Sequence, residues 1–180
     1  MQSFKDEGLV IKKTRFGESN LFVTIISQEK GKLVLKGYGV KKSTSKRLSH
    51  LETGNYVRFS YLKKDDRLIL GETELMYAHS KIKKSPAKIE QLFLICFVLN
   101  KILPEGVEER VILKRVLKFL QFLNNSSTFS HRDLEQVLKD ILILAGFLTR
   151  ERAQLQSLNP FYVLEELLGE TLSKRFDLLS

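Results

Sequence analysis

The chain has a single cysteine, Cys96. One thiol makes neither an internal disulfide nor a four-thiolate zinc site, and this one sits inside the apolar run 92–99, where a small core residue is expected. That run is also the longest unbroken apolar stretch, at eight residues, against the roughly 18 that span a bilayer. No apolar signal region opens the N-terminus. A reduced, intracellular protein without a membrane span is expected. Several catalytic signatures are missing as well. Lys42-Ser43 lacks the preceding glycine spacing of a phosphate-binding loop, and Gly37-Tyr-Gly39 lacks the third glycine of a dinucleotide fingerprint. His50, His79 and His131 form no helical metal-binding pair. Asp65-Asp66 lie in a hairpin turn, where turn chemistry accounts for them better than a nuclease carboxylate pair. Nothing demands an enzyme, a metal or a cofactor.

Acidic residues are scarce in one half only. The net charge is +9 over 180 residues, and residues 1–84 hold 18 basic and 9 acidic side chains, so the whole excess lies there. Residues 85–180 hold 12 of each. Hydrophobic content of 43% and charged content of 28% are those of a folded chain. A nucleic-acid or anionic-surface module joined to a neutral module fits this asymmetry.

The stretch 31–47 concentrates the charge. Alternation from Lys32 to Tyr38 puts Lys32, Val34, Lys36 and Tyr38 on one strand face and Leu33 and Leu35 on the other. A Gly- and Ser-rich loop follows, carrying Lys41, Lys42, Lys46 and Arg47 with no acid among them. A cationic strand face bearing an aromatic, running into a cationic loop, suits a polyanion whose backbone is followed and whose bases are stacked upon. Read alone, such a loop is a solvated connection; the charge asymmetry argues for the functional reading.

Around it the spacing predicts five strands. The first covers 9–14, the second 21–26 and is apolar on both faces, the third is the one above, and the fourth and fifth cover 55–62 and 67–76. A turn at 28–31 supplies Gly31 for a positive φ. Five strands with a long connection after the third fit a small barrel of the OB type, with an SH3-like barrel as the competing architecture. Phe22 and Phe59 are expected in the barrel core. Tyr38, and Tyr56 beside Arg58, are the candidates for base stacking.

Residues 80–85 read as a short basic linker, dividing the chain into a barrel over 1–80 and an all-α module over 81–180. Pro86 opens a helix that Pro104 and Gly106 end. A second helix is expected over 107–124 with Val111, Val116, Leu117, Leu120 and Leu123 inward. Ser130 and Asp133 make a capping box for a third, which Gly146 stops. Asn159-Pro160 starts another that Gly169 stops, and Thr171 starts a last short one. The fold class is α+β, a β-barrel followed by a helical bundle, and the reading from residues alone is a protein that binds nucleic acid without turning it over.

These words also resemble a family. Residues 8–13, the Phe16-Gly-Glu-Ser-Asn-Leu21 turn, Thr24, Glu29-Lys-Gly-Lys-Leu33, the run Lys36-Gly-Tyr-Gly-Val-Lys-Lys-Ser43, Leu51 and Tyr56-Val-Arg-Phe59 are similar in order and spacing to the RecO family of bacterial recombination mediators. Leu103-Pro-Glu105 and Leu144-Ala-Gly-Phe147 resemble its later words more loosely. The resemblance implies an N-terminal OB-fold and a C-terminal helical domain that bind single- and double-stranded DNA and anneal complementary strands. It also implies work with a RecR-like protein and the C-terminal tail of single-stranded-DNA-binding protein to load recombinase, in the cytoplasm on the nucleoid. Expected DNA contacts are Arg15, Lys32, Lys36, Tyr38, Lys41, Lys42, Lys46, Arg47, Tyr56 and Arg58. Two departures stand out: the chain is short for the family, and residues 149–158 lack the cysteine cluster that holds zinc in many members. Zinc is therefore not expected. A protein-interaction adaptor working through its helical half, and an RNA-binding OB-fold, are the alternative functions.

Overall fold

The computed structural model describes residues 2–40, 47–155, 157–172 and 176. Five strands run in chain order: β1 (Gln2–Phe16), β2 (Asn20–Ser27), β3 (Gly31–Gly37), then the one-turn helix α1 (Arg47–His50), β4 (Tyr56–Lys64) and β5 (Arg67–Tyr77). They close into a barrel in the order β1-β2-β3-β5-β4, with β4 returning to β1. All pairings are antiparallel except β3 with β5, which is parallel and holds at a single register pair, Lys36 opposite Ile69. This topology is that of an OB-fold.

The thin β3–β5 seam is completed by side chains. Arg47 donates to the Gly71 carbonyl at 3.3 Å, and the His50 ring nitrogen Nδ1 lies 2.9 Å from the Thr73 carbonyl. The α1 turn thus satisfies backbone groups that a longer ladder would otherwise take up.

Val10, Leu21, Val23, Ile25, Leu33, Leu35, Val57 and Phe59 fill the barrel interior. Phe59, expected in the core, is there. Phe22 is not: it points outward between Leu21 and Val23 and is 39% exposed. The first strand also runs far beyond the predicted 9–14. Its centre is apolar on both faces, because Val10 enters the barrel while Leu9 and Ile11 join the helical core.

The helices follow as α2 (Ser80–Lys83), α3 (Pro86–Ile102), α4 (Arg110–Asn125), α5 (His131–Leu144), α6 (Arg150–Ala153) and α7 (Pro160–Leu168). Residues 80–85 are not a plain linker. They contain α2, whose Ile82 is fully buried and whose first N–H groups, from Lys81 and Ile82, donate to Asn124 Oδ1 at 3.0 and 3.4 Å. The α5 capping box is formed as expected: Ser130 accepts from the Asp133 N–H, and Asp133 accepts from the Ser130 N–H at 2.7 Å. Leu134, Val137, Leu138, Ile141 and Leu142 are all buried. The second helix of the expected set starts at Arg110 rather than 107, and Val111 is 64% exposed rather than inward. At about 100° per residue, the stripe formed by Ile112, Val116, Phe119, Leu120 and Leu123 leaves Val111 off its edge. The short helix expected from Thr171 falls largely outside the described residues.

The bundle packs on one end of the barrel's outer face. Leu9, Ile11 and Ile26 share a continuous core with α3, α4, α5 and α7. The connection between α3 and α4 passes close over the β2–β3 turn. Gly106 N–H donates to the Lys32 carbonyl at 3.0 Å, and a Cβ on Gly31, at φ +64°, would fall 1.6 Å from the Val107 oxygen. Only glycine fits there, for its backbone and for its missing side chain.

Candidate nucleic-acid interface

Because strand neighbours alternate, the outward residues of β1, β2 and β3 form rows across the sheet. Ile26 pairs with Lys32 in the row nearest the bundle, and Thr24 pairs with Val34 and Lys12 in the next. Phe22 pairs with Lys36 and Thr14, and Asn20 with Phe16. The helices cover the first of these rows. The far end stays open, and three aromatic rings converge there.

Phe16 and Phe22 lie with ring centroids 4.4 Å apart, and Phe16 meets Tyr38 edge-on at 6.4 Å. The Lys36 ammonium stands over this group, 4.7 Å from the Phe16 centroid, 4.9 Å from Tyr38 and 6.0 Å from Phe22. Cation–π attraction of about 0.5–1 kcal/mol per contact holds the half-buried ammonium over the rings. Neither Lys36 nor the nearby exposed Arg15 has a carboxylate partner among the described residues. Tyr38 is 44% exposed. Its backbone is pinned by Arg47, which donates to the Tyr38 carbonyl at 2.8 Å, and Asn20 Oδ1 accepts from the next N–H, that of Gly39, at 3.1 Å. The result is a fixed apolar shelf with a positive centre: ring faces for bases and a cation for the backbone that joins them.

The residues expected to contact DNA therefore separate. Lys36 and Tyr38 come together on the shelf, whereas Arg15 is exposed but pairs with the inward Leu21, off the row that carries Phe22 and Lys36. Arg47 lies at its edge, its guanidinium engaged on two backbone carbonyls. Lys41, Lys42 and Lys46 lie outside the described residues. Lys32 shares the predicted strand face but is buried at the bundle end, where its ammonium donates to the Asn100 carbonyl at 2.9 Å. Burial lowers its pKa, opposed by the Glu105 charge. Tyr56 packs against the helical core, and its hydroxyl lies between Gln28 and Glu7. Burial is the main cause that pushes that phenol up to about 12. Arg58 is exposed but bridges Glu7 at 2.9 Å and Glu74 at 2.8 Å, and these hydrogen bonds hold its pKa up. Lys32 and Tyr56 are thus junction residues, and Arg58 is a charge already paired. Phe16 and Phe22 are the functional candidates that the sequence reading left out; Phe22 sharing a face with Thr24 and Ile26, opposite Leu21, Val23 and Ile25, was the available signal.

Residues 1–75 match the family model described as recombination protein O N terminal. They are similar to a RecO N-terminal domain. The shelf of Phe16, Phe22, Lys36 and Tyr38 lies wholly inside the matched residues. The chain is also similar to three proteins named DNA repair protein RecO. That of Thermoanaerobacter sp. (strain X514) is 29% identical over 124 residues, covering 66% of this chain and 49% of the relative. That of Bacillus pumilus (strain SAFR-032) is 27% identical over 129 residues, covering 68% and 48%. That of Exiguobacterium sp. (strain ATCC BAA-1283 / AT1b) is 25% identical over 122 residues, covering 67% and 48%. The chain spans about half the length of these RecO relatives. Among the described residues, no helix is long and apolar enough to cross a membrane.

Proposed function

We propose that this chain is a non-enzymatic DNA-binding mediator of repair and recombination. It holds single-stranded DNA on the aromatic shelf of its RecO N-terminal domain, binds double-stranded DNA through the same cationic half, and promotes pairing of complementary strands. A RecR-like protein and single-stranded-DNA-binding protein would be its partners in loading recombinase. The observation that carries this reading is the open end of the β1–β2–β3 face, where Lys36 stands over three rings with no carboxylate partner among the described residues. Bases stack on the rings; Arg15, Lys36 and the loop lysines Lys41, Lys42 and Lys46 take phosphates.

Annealing of complementary oligonucleotides across a salt series tests it. If six or more phosphates are engaged, affinity falls on the order of 10³-fold between 50 and 200 mM salt. Annealing no faster than the protein-free rate, or binding indifferent to salt, rejects the reading.

A second reading is favoured by one further observation. A cleft of about 520 Å³ between α4, α5 and α6 combines Ile143 and Leu144 with Lys139 and Arg150, beside the Arg115–Asp140 ion pair. Its chemistry suits the acidic, apolar tail of single-stranded-DNA-binding protein. Loss of tail-peptide binding on replacing Lys139 and Arg150 with Glu supports this adaptor role; unchanged binding removes it.

A further inference from the structure

Two clefts meet along one flank of α4. The first, about 430 Å³, lies between α4 and the β2–β3 turn, with Arg110, Lys114 and Lys118 along it. The second, about 210 Å³, has Tyr56, Tyr77 and His79 as its wall. Leu117 and Gln121 line both, so the two are one groove. No carboxylate lines either part.

The charges along it are not equivalent. Helix α4 has no acidic residue in its 16 positions. Arg110 is nevertheless held by Glu29 at 2.9 Å and by Glu108 at 3.1 Å, and Arg115, on another face, by Asp140 at 2.6 Å. Lys114 and Lys118 are exposed, one turn or about 6 Å apart. Neither has an ion-pair partner among the described residues. Farther along the groove, Tyr77 is 43% exposed. The His79 ring packs against it edge-on at 4.6 Å, and its hydroxyl accepts from Asn124 Nδ2 at 3.3 Å. A pinned aromatic sharing one groove with two uncompensated cations repeats, on another side of the molecule, the residue types of the shelf. The two surfaces share no residue.

We propose that this groove is a second nucleic-acid track, which takes a single strand with Lys114 and Lys118 on its phosphates and Tyr77 against a base. The inference rests on the reading of the shelf as a strand-binding surface. It gives annealing two strands held on one chain, at separate sites, each with its charge partly neutralised before they meet.

The test counts strands. Wild-type chain, Lys114→Glu/Lys118→Glu, and the shelf variant Phe22→Ala/Lys36→Ala/Tyr38→Ala are titrated at low salt with an oligothymidylate of about eight nucleotides, within the usual site size of an OB-fold. Native mass spectrometry reads the stoichiometry, and circular dichroism checks folding. Two oligonucleotides per wild-type chain and one per chain in each variant are expected, with annealing slowed about tenfold or more in Lys114→Glu/Lys118→Glu. Ultraviolet crosslinks at Tyr77 should survive in the shelf variant. One oligonucleotide on the wild type, lost in the shelf variant, overturns the groove and leaves the shelf standing. No oligonucleotide on the wild type overturns both. An acidic peptide that occupies the groove while the oligonucleotide count stays at one assigns the groove to a protein ligand and overturns the proposal.

Discussion

The Lys36 ammonium stands 4.7 Å above the centroid of the Phe16 ring, although the two residues lie twenty positions apart on different strands. Their meeting follows from register. Thr14 pairs with Phe22 and Phe22 with Lys36, so the end of β1 and the end of β3 flank one β2 side chain on the outer face. Among the described residues, the neighbours of this half-buried cation are rings rather than carboxylates.

Removing one ring from the shelf should weaken binding without harming the fold. Phe22→Ala deletes a side chain that is 39% exposed and outside the barrel core, so little packing is lost. Stacking is worth about 1–3 kcal/mol per base, so affinity for a single strand should drop about 5- to 150-fold. Fluorescence anisotropy with a labelled oligonucleotide measures it, with a thermal melt as the control.

Two lysines on one predicted strand face should behave differently. Lys36→Ala should reduce the slope of log affinity against log salt by about 0.7, the effect of one lost phosphate contact on a single strand. Lys32→Ala should leave that slope unchanged, because its ammonium is spent on the Asn100 carbonyl under the bundle. A salt titration of both variants decides the matter.

The stability of the barrel–bundle junction should depend on pH through His79. This ring is buried, its Nδ1 lies 2.7 Å from the Gly54 carbonyl, and burial lowers its pKa below the ordinary 6.5. A base with a depressed folded pKa binds fewer protons folded than unfolded, so stability is complete above about pH 6.5 and declines as pH falls through the lower folded value. Melting temperatures of the wild type and of His79→Gln, compared from pH 7.5 to 5, should converge as the wild type loses that contribution. A parallel decline in both proteins would place the titration elsewhere.

Gly31→Ala should loosen the docking of the two modules. The new Cβ collides with the Val107 carbonyl, and the left-handed backbone adds its own penalty, so a loss of roughly 2 kcal/mol or more is expected. Gly106→Ala is the control: its φ is also positive, at +73°, but nothing lies within 4 Å of its added Cβ, so only the backbone penalty applies. Urea unfolding of the two variants compares them.

Much of this architecture was legible in the chain. The strands β2 through β5, the positive-φ glycine at 31 and the capping box at Ser130 are local signals, and the structure keeps them. What was not legible depends on partners distant in sequence. Nothing in the run 32–38 distinguishes Lys32 from Lys36; the α3–α4 connection, some seventy residues later, buries the first and leaves the second open. Tyr56 looked like a stacking ring until the bundle covered it. Ile82, the single apolar residue in a basic hexapeptide, became a core residue because α4 lends Asn124 to cap its short helix. Phe22 was misplaced because an apolar residue within an apolar strand reads as core whichever side it faces. The loop lysines stay where the sequence reading put them, as proposals.

The most direct test is to photo-crosslink an oligonucleotide carrying 5-iodouracil to the intact chain and map the modified peptides by mass spectrometry. The account predicts crosslinks on Phe16, Phe22 and Tyr38, abolished when Phe22 and Tyr38 are replaced by Ala. Crosslinks confined to the helical half, with none between residues 14 and 40, would contradict it.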